Sequence, residues 1–166
     1  MWLSKSIQLP PKPFGFHWIT EEVTDQIPEI AGIAVGLLHL SLQHTSASLS
    51  LNENTDPRVL LDLRDLFRHL VPREFRFRHD DEGPDDMPAH VLCAMIGTDL
   101  TIPIRAGSLA LGTWQGIVLG EHRDRAGSRV LLATMHGQPI YPGCLIPQNP
   151  CLIRIKRICR ESISLI

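Results

Sequence analysis

Three of the eight histidines, His44, His79 and His90, stand at the ends of apolar or charged runs and not within apolar stripes. Three neutral imidazoles around a fourth, open position make a catalytic zinc site. His44 begins His44-Thr45-Ser46-Ala47-Ser48, where a strand pattern pauses, and His79 follows the basic and aromatic run Arg76-Phe77-Arg78. His90 falls in the first turn of a predicted helix, where the helix dipole disfavours an imidazolium and leaves the ring neutral as ligand, base or donor. No His-x-His or His-Glu-x-x-His pattern accompanies them, so from spacing alone structural histidines are the competing reading. His39 lies in a run of leucines and reads as a hydrogen-bonded core residue. His122, after Glu121, reads as either a support to a site or a surface group.

Oxygen donors are concentrated nearby. Asp80, Asp81, Glu82, Asp85 and Asp86 place five carboxylates within seven residues. Such a cluster suits magnesium, which takes one or two carboxylates together with waters and phosphates. The spacing is not that of an EF-hand, and a solvated acidic loop is the alternative. Asn52-Glu53-Asn54 follows a predicted strand and precedes the helix cap Asp56. Polar groups there either hold a ligand or satisfy the backbone of a turn. Asp62, inside the first helix pattern, reads as solvated. The passage from Gly107 to Gly116 permits close backbone approach to an anion. Within it, Trp114 and Gln115 offer a flat aromatic face and a two-sided amide suited to a heteroaromatic ring. The alternative is a hairpin loop whose tryptophan packs.

The elements that must position these groups follow from periodicity and punctuation. Met1 to Leu9 reads as a strand stopped by Pro10-Pro11, and Thr20 as the cap of a short helix. Gly32 to His44 reads as a buried strand and Ala47 to Leu51 as a second. Asp56-Pro57 opens a helix with Leu60, Leu63, Phe67 and Leu70 at helical spacing, ended by Pro72. Pro88 opens a second helix with Val91, Ala94 and Met95 on one face and Gly97 at its close. Leu100 to Ile104, Gly116 to Glu121 and Arg129 to His136 have strand character. The expected fold is α+β: two layers, a mainly antiparallel sheet with helices on one face. The expected domain spans residues 1–137, and 138–166 form a poorly packed C-terminal extension crowded with Pro139, Pro142, Pro147 and Pro150. Leu152 to Ile158 is a candidate edge strand there.

Composition narrows the function. A net charge of −2 with 5% aromatic residues gives neither the basic face nor the stacking platform of a nucleic-acid binder. Ile30 to Leu38, the longest uncharged apolar stretch, is far short of the ~18 residues of a membrane span, and no signal-peptide core is present. Cys93 stands apart from Cys144, Cys151 and Cys159, with no zinc spacing, so reduced thiols in the cytoplasm are expected.

Several of these segments occur in a family order. They are His44-Thr45-Ser46-Ala47-Ser48, Leu51-Asn52-Glu53-Asn54, Asp56-Pro57, Asp62, His79, Glu82 through His90, Gly107, Leu111 through Gly116, Leu119 through Arg123, and Arg129. Together they resemble the YjbQ family of secondary thiamine-phosphate synthase enzymes. The resemblance covers roughly residues 1–137. It implies a homotrimer with polar residues near subunit boundaries and a divalent metal, Zn or Mg, at His44, His79 and His90. The implied reaction joins hydroxymethylpyrimidine diphosphate to thiazole phosphate with release of pyrophosphate. Such a step needs positioning and neutralisation of the leaving group. On this reading Arg129 stabilises the diphosphate, Trp114 stacks a ring, Gln115 or the catalytic Glu53 orients it, and Asn52 and Asn54 complete the binding set. Many relatives place Asn-Ala-Asp-Ala-His where this chain has Asp86-Met87-Pro88-Ala89-His90, so no role carries over to Asp86. Two rival functions are a hydrolase using zinc at the three histidines, and a non-catalytic trimer that binds a phosphorylated metabolite.

Overall fold

Alternation of apolar and polar residues decides which face of each strand enters the core. In the computed structural model, which describes residues 1–140, the order is β1 (Trp2–Leu9), β2 (Gly15–Trp18), α1 (Thr20–Thr24), a 3-10 turn (Pro28–Gly32), β3 (Ile33–Leu42), β4 (Ala47–Glu53), α2 (Pro57–Leu70), α3 (Asp86–Ile96), β5 (Asp99–Arg105), β6 (Ser108–Leu109), β7 (Gln115–Glu121) and β8 (Arg129–Pro139). All pairings are antiparallel, in a five-stranded sheet of order β1-β8-β3-β5-β6 and a three-stranded sheet of order β2-β7-β4.

The core lies between the sheets. Ile7, Leu38, Leu40, Ile102, Leu131 and Met135 of the larger meet Leu49, Ile117 and Leu119 of the smaller, and Val23, Ile27 and Ile30 complete it. Helices α2 and α3 pack on β2 and β4, on the outer face of the smaller sheet. The α+β class and the antiparallel strands are as expected. The layering is richer, because residues 43–46 carry the chain from one sheet to the other, so β3 and β4 do not continue a single sheet. Only one face of β3 is buried: Leu38 and Leu40 point inward, while His39 lies outside and bonds Thr101 Oγ1 at 3.1 Å. His39 is therefore not a core histidine.

Two helix details shift the site. Asp56 caps α2 as predicted, its Oδ1 accepting from Arg58 N at 2.9 Å. Helix α3 begins at Asp86, two residues before Pro88, and ends at Gly97 with φ of +104°, a backbone state that favours glycine. With that start the buried stripe is Asp86, Ala89, Leu92 and Cys93, and not Val91, Ala94 and Met95. Strand β2 escaped the sequence because four residues after Pro13 show no alternation. The domain edge also moves: Gln138 pairs with Val35, and Ile140 N donates to Gly32 O at 2.8 Å, so the fold runs past Gly137. Cys144, Cys151, Cys159 and the run Leu152 to Ile158 lie outside the described residues. Among the described residues no helix is long and apolar enough to cross a membrane.

Candidate metal centre

The crossing from β3 to β4 brings His44 and Thr45 beside α3. Asp86 and His90 are four residues apart on α3 and so share one face of the helix. His79 arrives from the connection between α2 and α3. Its Nε2 lies 2.9 Å from Asp86 Oδ2, and His90 Nε2 lies 3.5 Å from the same oxygen. One ligand atom from each residue falls within 4.8 Å of the other two.

Asp86 is 2% exposed, whereas the two imidazoles are open to solvent on one side. The buried Oδ2 atom makes no well-aligned hydrogen bond, although a protonated His79 would pair with it at 2.9 Å. A buried carboxylate oxygen left so is costly unless a cation or donor meets it. His90 donates Nδ1–H to the Thr45 carbonyl at 2.9 Å, which turns its Nε2 to Asp86. Two imidazole nitrogens and one carboxylate oxygen, with an open side, fit zinc or a similar borderline ion better than oxygen-seeking magnesium.

Behind this cluster lies a buried ionic layer. Arg129 gives Nε and Nη2 to the Glu121 carboxylate at 2.7 and 2.6 Å, both residues being buried. His44 Nε2 accepts from Val130 N at 2.8 Å, and Arg129 Nη1 lies 3.4 Å from its Nδ1. Burial, and then the Arg129 charge, hold the His44 pKa below the usual imidazole value. His122 is 2% exposed and shares a 2.8 Å hydrogen bond with Ser48 Oγ. Burial, reinforced by Arg129, lowers its pKa to about 4. Gly120 leaves room for that pair, since a Cβ there would meet Ser48 Oγ at 2.4 Å and His122 Cε1 at 2.7 Å.

The chain's kinship fits this architecture. A family model described as UPF0047 protein YjbQ-like matches residues 5–138. The chain belongs to the YjbQ/UPF0047 family. It is 49% identical over 138 residues to UPF0047 protein YjbQ of Escherichia coli O157:H7, covering 83% of this chain and 100% of that protein. It is 50% identical to the Salmonella typhimurium YjbQ protein with the same coverage. A YbjQ-like protein of unknown function from Sulfolobus solfataricus shares the fold at a TM-score of 0.74 and 22% identity, covering 83% of this chain and 99% of that one. An uncharacterised YjbQ/UPF0047 protein from Clostridium acetobutylicum superposes at 0.67 with 27% identity, over 82% of this chain and 99% of the other.

Within this YjbQ-family chain the expected residues divide into two groups. His79 and His90 meet, joined by Asp86 in place of His44. The Nε2 lone pair of His44 is taken by the Val130 amide and its Nδ1 faces the Arg129 guanidinium at 3.4 Å, so His44 stands outside the ligand group. His44 and His90 nevertheless line one open depression of about 700 Å³ with Thr45, Cys93 and Asp99. Arg129, expected at a diphosphate, is committed to Glu121. The other expected binding residues sit at the far end of β4. From Ala47 to Glu53 the strand spans about 20 Å, which removes Glu53 from the histidines of its own chain.

At that far end, Asn52 Oδ1 accepts from Glu53 N at 2.8 Å and Asn54 Nδ2 donates to Gln115 O at 3.1 Å. Gln115 Oε1 accepts from Gly112 N at 2.8 Å. These groups serve the turn, whereas Trp114 is 63% exposed. Of the acidic run, Asp80, Asp81 and Glu82 are exposed, and Asp85 and Asp86 are bound to Arg123. Sequence reasoning placed Asp86 only within the acidic, magnesium-type run, yet an Asp four residues before a His on one helix was the available signal for its pairing with His90. A cleft of about 660 Å³ at the end of α2 has its cations engaged already: Arg73 pairs with Asp124, and Arg68 lies over Phe14.

Proposed function

We propose that this protein is a metal-dependent enzyme acting on a phosphate-bearing small molecule, with His79, Asp86 and His90 as its metal ligands. The observation that carries the reading is the convergence of two imidazole nitrogens on the buried Oδ2 of Asp86. A divalent ion held there supplies Lewis-acid stabilisation of charge on phosphoryl oxygens. The chain's own residues do the rest. Asp86 provides the negative charge that draws the cation, and Thr45 fixes the orientation of His90. The depression beside His44 admits the substrate. Arg76 and Arg78, exposed on the approach to His79, attract its phosphate. Three ligands with one open side favour metal-assisted hydrolysis.

A second reading is favoured by exposed Trp114, a platform for a ring on the turn that Asn54 and Gln115 brace. It is the thiamine-phosphate synthase-like transfer that joins hydroxymethylpyrimidine diphosphate to thiazole phosphate. Because β4 separates platform and metal ligands within one chain, this reading requires a homotrimer in which one subunit's platform faces another's ligands. Exposed Trp2, Val35, Leu37 and Leu132 on the outer face of the larger sheet support self-association. A cytoplasmic location belongs to both readings.

Zinc-loaded protein incubated with each phosphorylated compound alone and with both together separates them. Release of phosphate or pyrophosphate from one compound alone supports the hydrolase. Pyrophosphate released only with both present supports the transferase. Ligand binding without turnover, unchanged in His90→Ala, contradicts both and leaves a non-catalytic binder.

A further inference from the structure

The connection between α2 and α3 has no helix or strand from Val71 to Asp85, yet it delivers His79 to the centre. Two arginine contacts of opposite direction hold it to the turn between β7 and β8. Arg73, from the connection, grips the Asp124 carboxylate with both Nη atoms at 2.6 Å. Arg123, from the turn, reaches back with Nε to Asp85 Oδ2 at 3.1 Å, Nη2 to the Glu82 carbonyl at 3.0 Å, and Nη1 to Asp86 Oδ1. Asp124 N adds a bond to Asp85 Oδ2 at 2.9 Å. The two oxygens of Asp86 are thereby divided, Oδ1 turned to Arg123 and Oδ2 to the imidazoles.

We propose that Arg123 is the positioning residue of the metal centre. Its planar fork fixes the Asp86 carboxylate so that Oδ2 alone is offered to the cation, and its bonds to Asp85 and the Glu82 carbonyl hold the segment that carries His79. This inference rests on the metal reading above. A guanidinium can serve three acceptors in one plane; an ammonium on a flexible stem keeps the charge but not the fork. Hydrogen-bonded partners of a metal's carboxylate ligand tune affinity through that ligand without touching the ion.

The test is zinc affinity, by chelator competition, and the visible spectrum of the Co²⁺-loaded protein, for wild type, Arg123→Met, Arg123→Lys and Asp86→Ala. Arg123→Met is expected to weaken zinc binding about ten- to a hundredfold and to change the Co²⁺ spectrum. Arg123→Lys should bind more tightly than the Met variant, stay below wild type, and keep the altered spectrum. It decides the question alone if the Met variant fails to fold. Wild-type affinity and spectrum in a folded Arg123 variant, while Asp86→Ala loses both, would overturn the positioning role and leave the metal reading intact. A wild-type protein that binds neither ion defeats the metal reading, and this inference with it.

Discussion

His90 Nδ1 and the Thr45 carbonyl oxygen lie 2.9 Å apart, although 45 residues separate them in sequence. A carbonyl only accepts, so Nδ1 carries a proton and Nε2 is the nitrogen turned to Asp86. The bond ties the β3–β4 crossing to α3. It places His44, one residue before Thr45, at the border of the centre, while the Val130 amide holds its Nε2.

That placement gives the first prediction. In His44→Gln the side-chain oxygen can still accept from Val130 N, so bound metal should be retained at a cost of about 1 kcal/mol in stability. Metal content and urea unfolding on one preparation check this. Loss of metal in that variant would return His44 to the ligand set.

Arg129 gives the second. Its removal leaves the Glu121 carboxylate buried without its partner, which costs roughly 3–5 kcal/mol. Arg129→Met should therefore unfold at much lower urea, and Glu121→Gln with Arg129→Met should recover part of the loss. An Arg129→Met protein of wild-type stability with weakened substrate binding would show instead that the arginine serves the substrate.

Acid sensitivity is the third. His122 has a folded pKa near 4, below the ordinary imidazole value of 6.5. The unfolded chain therefore binds a proton first. Stability from the neutral ring is full above about pH 6.5, declines as pH falls, and is lost by about pH 4. Between pH 7.5 and pH 5 this amounts to about 2 kcal/mol. Denaturant unfolding of His122→Gln should show a pH 7.5-to-5 loss smaller than wild type by about that amount. Equal losses in the two proteins would refute the assignment.

Much of this fold was legible because its signals are local. Asp56-Pro57 marked α2, Gly97 marked the end of α3, and strand character between turns marked β7 and β8. What escaped depends on long-range packing. Whether β3 and β4 share a sheet is decided by where residues 43–46 lead, and the outward position of His39 by which face of β3 meets β4 and β7. Of the site, His79 and His90 were recognised by type and position at element ends. His44 was drawn in by the same criterion, but the Val130 amide that claims its nitrogen is 86 residues away. Asp86 was hidden in an acidic run, where only the true start of α3 distinguishes it from its exposed neighbours.

The central claim is that His79, Asp86 and His90 hold a divalent ion. The direct measurement is metal content after zinc loading and exhaustive dialysis, by elemental analysis of wild type, Asp86→Ala and His90→Ala, with circular dichroism to confirm folding. The account predicts about one zinc per wild-type chain, and little or none in either folded variant. Wild-type protein that retains no zinc, or variants that retain as much as wild type, would contradict it.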